Sequence, residues 1–185
     1  DHDENFGVSF CGMHIVRGKI EEDIIATYEG DVLVHFLMGR MRVGSSLVMI
    51  RRSVYEEFNG FDESFKRHQD WEFLTRIFTK YQLASTHKIG VVKINLDRNV
   101  ATNPQKFEDN RIFFLDKMKG IINSLPTKIS KEIYDMHYTS IAKEYFRACQ
   151  LGSVIKWCMK TSRPLDSLFN IIRSACVYFF KIVKV

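Results

Sequence analysis

The sequence predicts an α/β domain over residues 1–104 followed by an α-helical region over 105–185. Two patterns carry this expectation. In the first part, short apolar runs bounded by Gly, Ser and Arg alternate with amphipathic stretches, as strands alternate with helices. Beyond Pro104 the apolar residues recur at helical spacing, and Pro126, Gly152 and Pro164 mark the breaks between helices. With 45% hydrophobic and 26% charged residues the chain has the composition of a folded protein. The net charge of +5 suits an anionic partner without the dense basic stripe of a nucleic-acid binder.

Taken in order, Val8 to Val16 reads as a strand and Arg17 to Asp23 as a polar connection. Asp31 is placed to cap a short helix, Val32 to Met38. Gly44-Ser-Ser46 leads into a buried strand, Leu47 to Ile50. Its small residues suit either a tight turn or close backbone approach to a ligand, and the pattern favours neither. Ser53 and Glu56 have capping-box spacing for a helical turn that runs to Phe58 and stops at Asn59-Gly60. A polar loop, Asp62 to Gln69, delivers Asp70 to the start of a helix, where backbone N–H groups hold a carboxylate. Phe73, Leu74, Ile77, Phe78 and Tyr81 form the buried face of that helix, and Glu72 and Arg76 are expected to pair on its surface.

Ile89 to Leu96 reads as a further strand, with Gly90 as a weak point, and Asp97 to Pro104 as a turn-rich loop. The helical region divides into Phe107 to Ile122, Ser130 to Cys149 with Ser130 as cap, Val154 to Lys160, and Leu165 to Lys184. In the last of these, Leu168, Ile171, Ile172, Ala175, Tyr178, Phe179 and Ile182 share a face rimmed by Arg173, Lys181 and Lys184. Such a helix fits a membrane interface, and it equally fits the last helix of a core. The four cysteines lie far apart in no metal-like pattern and read as free thiols in a reducing compartment. No signal peptide is visible, which points to the cytoplasm, or to the inner face of a membrane if the tail helix binds there.

The run Gly60-Phe-Asp-Glu-x-Phe65-x-x-x-Gln69-Asp70-Trp71-Glu72-x-x-x-Arg76 follows a Ser-Ser strand and an Arg51-Arg-Ser-Val54 turn. In that order and spacing it resembles the C-terminal half of family 2 glycosyltransferases with the GT-A fold, over about residues 7–100. The resemblance implies a partial GT-A, Rossmann-like mixed sheet lacking the N-terminal nucleotide-binding half. It implies inverting transfer of a sugar from a nucleotide-sugar donor to a glycan or lipid-linked acceptor, in the setting of bacterial cell-surface polysaccharide synthesis. Asp70 takes the place of the general base. Ser45, Ser46, His68, Gln69 and Trp71 fall where substrate is bound, and Arg98 is the candidate for a diphosphate contact, against the plainer reading of a solvated arginine.

The complete enzyme is expected to use Mg²⁺ or Mn²⁺. Asp1 and Asp3 have the one-residue spacing of a metal-binding pair, but a strand follows them almost at once where the family has a helix. A polar loop is therefore preferred, and no metal ligand is assigned to this chain. Two other classes compete with an enzyme: a non-catalytic binding module, and a membrane-associated interaction protein using residues 165–184.

Overall fold

The computed structural model describes residues 4–18, 20–41, 44–94 and 103–183, with side chains through Ser174. Asp1, Asp3 and Arg98 thus lie outside the described residues. The chain forms two compact units, 1–100 and 101–185.

The first unit is built on β1 (Phe6–Arg17). Alternation turns Val8 and Phe10 into the core, and after a change of phase at the register shifts between Phe10 and Met13 it turns Met13 and Ile15 inward as well. One edge of β1 pairs antiparallel with β2 (Ile20–Ile24) over Met13 to Arg17 and with β3 (Val48–Ile50) over Val8 to Phe10. β1 also pairs parallel with β4 (Gln82–Ile94), with register shifts between Phe10 and Met13. The sheet is therefore mixed and four-stranded.

β2 corrects the expected polar connection. Gly18 adopts φ +58° and turns the chain back, so that Arg17 faces Ile20 across a hairpin. The acidic residues of β2 are exposed on an edge strand, so no apolar alternation announced it. β4 likewise begins at Gln82, seven residues before the expected start, with Leu83 fully buried.

Helices α1 (Leu33–Leu37), α2 (Arg52–Glu57) and α3 (Gln69–Phe78) complete the unit. Asp31 is not the cap expected of it: α1 starts at Leu33 with Val32 as N-cap, and Asp31, one residue earlier, accepts from the Leu33 N–H at 3.2 Å. The Ser53 cap is not formed: α2 starts two residues earlier than that cap requires, at Arg52, Arg51 is its N-cap, and Glu56 instead pairs with Arg52 at 2.8 Å. Phe36, Phe73, Leu74, Ile77 and Phe78 of α1 and α3 pack with the buried side chains of β1.

The second unit is helical: α4 (Pro104–Lys117), α5 (Lys119–Ser124), α6 (Thr127–Arg147), α7 (Leu151–Cys158) and α8 (Pro164–Val183). Asn103 caps α4, accepting from Gln105 and Lys106 N–H, with Pro104 at the first helical position. Ser130 is not the cap of α6. It lies one turn inside the helix, buried, and its hydroxyl donates to the Ile122 carbonyl at 2.7 Å, tying α6 to the end of α5. Ile141, Tyr145, Val154, Trp157 and Ile171 form the core, with Leu168 packed against it. Of the face expected for the last helix, Leu168 and Ile171 turn inward and Ile172 is exposed, as are Leu165 and Phe169 outside that face. Among the described residues no helix is long and apolar enough to cross a membrane.

The β1–β2 hairpin carries a titrating pair, His14 Nδ1 lying 2.6 Å from Asp23 Oδ1. The hydrogen bond and charge of Asp23 raise the His14 pKa above its ordinary value of 6.5, against a smaller opposing effect of desolvation. A raised folded-state pKa gives a stabilising contribution that is complete below the unfolded value and fades as pH rises through the folded one. NMR titration should place His14 above 6.5 in the parent, and Asp23→Asn should bring it back toward that value. An unchanged titration would remove Asp23 as the cause.

Candidate functional site

The stretch from β3 to α3 is held by one side chain. Arg76 donates through Nε and Nη2 to the two carboxylate oxygens of Glu72, at 2.5 and 3.0 Å. Its Nη1 reaches the Phe58 carbonyl at 2.5 Å and its Nη2 the Gly60 carbonyl at 2.6 Å. Glu72 is only 3% exposed, so this pair is an interior clamp and not the surface pair expected from its spacing. The carbonyls face Arg76 because the chain turns at Asn59 and Gly60, both left-handed with φ of 55° and 65°. A planar guanidinium can serve a bidentate carboxylate and two carbonyls at once, which an ammonium cannot.

The clamp fixes α3 against the loop that precedes it. His68 is the N-cap residue of α3 in a left-handed conformation, φ 64°, and it redirects the chain so that Asp70 enters the first turn. Asp70 is not the cap itself. Its Oδ1 accepts from the Trp71 N–H at 3.0 Å, and its Oδ2 accepts from the Ser45 N–H at 3.2 Å. The second bond comes from a 3₁₀ turn, Ser45–Leu47, that leads directly into β3. Two backbone donors from segments 25 residues apart thus orient one half-buried carboxylate.

A pocket of about 170 Å³ opens beside it, lined by Ser45, Asp70, Val48, Ile50, Leu74 and three aromatic rings, Tyr55, Phe61 and Phe73. Phe61 stands 4.8 Å from Phe73 and Tyr55 5.4 Å from Phe73, centroid to centroid. Ser46 faces a different hollow of about 300 Å³, lined also by Met13, Ile15, Gly44, Val91 and the cations Arg17 and Lys93.

The structure therefore brings Ser45 and Asp70 together and sets Ser46 apart. Gln69 is engaged by its own loop, donating to the Phe65 carbonyl at 2.7 Å. Trp71 is half-buried and leans on the core, 5.9 Å from Phe36, with the His68 ring 5.6 Å away on the pre-helix turn. The aromatic wall was missed from sequence, because Tyr55 and Phe61 read as ordinary residues of a turn and a loop. The signal appears only on folding: both remain over 40% exposed, beside a carboxylate. Among the described residues no three His, Cys, Asp or Glu side chains converge to hold a metal ion. Asp70 alone does not fit one.

A family model for glycosyltransferase-like family 2 matches residues 4–124, well over half of the chain. The chain belongs to that family. No curated protein and no solved structure matches it. The matched span contains the whole β3–α3 site and continues through α5. Sugar transfer, with a nucleotide-sugar donor and an acceptor as general partners, is thus the chemistry the glycosyltransferase domain belongs to.

Removing Arg76 would leave the buried Glu72 carboxylate and two carbonyls without their donor. Arg76→Ala should lower stability by about 3 kcal/mol, the lower end for breaking a buried pair because Arg76 is itself partly exposed. Arg76→Lys should recover only part of that loss. Urea denaturation checks both, and a loss below about 1 kcal/mol for Arg76→Ala would return the pair to the surface class.

Proposed function

We propose that this domain catalyses an inverting sugar transfer from a nucleotide-sugar donor to a glycan or lipid-linked acceptor, with Asp70 as general base. Residues 1–104 would form the acceptor-side part of a GT-A domain and residues 105–185 a helical appendage. One observation carries the reading: the Asp70 carboxylate is held by two backbone N–H groups at the rim of a pocket walled by aromatic rings.

In such a transfer the acceptor hydroxyl oxygen bonds to the anomeric carbon while the bond from that carbon to the diphosphate oxygen breaks. The diphosphate leaves from the opposite face with the bonding electron pair, so the configuration inverts. The hydroxyl proton passes to a carboxylate oxygen of Asp70. An ionised carboxylate has about four acceptor sites, and two backbone donors leave room for the hydroxyl. Tyr55, Phe61 and Phe73 offer apolar faces to the C–H side of a sugar ring, and Ser45 stands at the same rim. His68 and Trp71 would bound the acceptor from the turn before α3. Ser46, with Arg17 and Lys93 beside it, would meet a phosphate-bearing part of a substrate, since the two cations favour negative charge there. Arg98 and Gln69 remain substrate contacts proposed from the motif alone.

Asp70→Asn keeps the shape and the acceptor oxygen but cannot take a proton at neutral pH. In the full-length protein it should lower turnover by about 10²–10⁴-fold, the usual effect of losing a general base, with little change in melting temperature. Asp70→Ala should lose turnover and also some stability, because the Ser45 and Trp71 N–H groups lose an acceptor. Turnover of Asp70→Asn within about threefold of the parent would end the assignment.

A further inference from the structure

We propose that α7 and α8 together form a docking face for an anionic lipid surface. The face lies outside the span matched by the family, which ends at residue 124. On α7 and its C-cap, Leu151, Ile155 and Met159 follow one another at four-residue spacing and are 62%, 59% and 67% exposed. On α8, Leu165, Phe169 and Ile172 repeat the pattern at 81%, 65% and 47%. Each stripe is the outward side of a helix whose other side is committed to the core through Val154, Trp157 and Ile171. Six large apolar side chains on two adjoining helices are more than the scattered exposure expected of a monomer.

Charge selects the occupant. Residues 101–185 carry 14 of the 27 Lys and Arg but only 7 of the 22 Asp and Glu, which leaves +7 there and −2 on residues 1–100. Four of the cations border the stripes in sequence: Lys156 beside Ile155, Lys160 beside Met159, Arg163 two residues before Leu165, and Arg173 beside Ile172. Lys160 and Lys156 hold their Nζ 4.1 and 5.5 Å from the centre of the Trp157 ring, so both cations are kept on α7 itself. A second copy of this chain would bring two units of like charge together, whereas anionic headgroups neutralise the rim as the six side chains leave water. With no helix among the described residues fit to cross the bilayer, the association is peripheral.

The test is co-sedimentation of the full chain with phosphatidylcholine vesicles with and without phosphatidylglycerol. Binding should require the anionic lipid and weaken as salt rises. The double variant Ile155→Glu, Phe169→Glu should reduce the partition coefficient at least about tenfold, its thermal melt unchanged because both positions are exposed. If that variant does not fold, Lys156→Gln with Lys160→Gln on the rim should still show a several-fold loss. No binding by the parent, or equal binding by folded variants, overturns the proposal. A concentration-dependent dimer in light scattering that the same variants dissolve overturns it in favour of a second copy. No sugar donor is present in the assay, so its failure leaves the transferase reading untouched.

Discussion

Arg76 bonds to a carboxylate four residues before it and to two carbonyls of a turn sixteen and eighteen residues before it. Burying Glu72 next to Phe73 and Thr75 is costly unless such a donor stands opposite. Once it does, α2, the Asn59–Gly60 turn and α3 become one rigid piece. The position of Asp70 near the start of α3 then follows from contacts made at the far side of the helix. The conformation that supplies the two carbonyls is tolerated at Gly60 with no steric penalty and at Asn59 with a modest one.

The site uses backbone where side chains might have been expected. Ser45 reaches Asp70 through its amide, not its hydroxyl, so the contact depends on the 3₁₀ turn before β3 more than on the residue at its tip. In a turn with three residues per revolution, successive side chains leave the axis about 120° apart, so Ser45 and Ser46 point in different directions. Ser45 and Ser46 consequently open into two hollows of different character, one aromatic and one cationic. In the proposed transfer the first would face a neutral sugar and the second a phosphate.

Much of this was legible in the residues. The strand at Val8 to Val16, the apolar face of α3 and the ordered motif around Asp70 are strong local signals, and β1, α3 and the family match carry all three. The failures share a physical cause. Spacing of four residues shows that Glu72 and Arg76 are neighbours on a helix but not which side the helix buries. Ser53 and Ser130 have the chemistry of caps, yet an N-cap is defined by where the helix starts, and packing placed both one turn or less inside. β2, acidic and exposed, has no pattern of its own and exists because β1 offers an edge. The rings around Asp70 lie close in sequence, between Tyr55 and Phe73, but no one periodicity runs through α2, the loop and α3 to show that they meet.

In the sheet, β2, β3 and β4 each pair with β1 and, among the described residues, not with one another. The pairing diagram is a star. Its arms have very different reach along the chain: His14 meets Asp23, but Val8 meets Leu83. On a ribosome the hairpin arm can close as soon as it emerges, while the parallel arm must wait until β4 has been made. For that interval the hub strand has an open side with apolar residues beside it, which is the condition under which nascent chains bind one another. Chaperone demand and inclusion-body formation should then track the time between synthesis of residues 17 and 94 more closely than the stability of the finished fold.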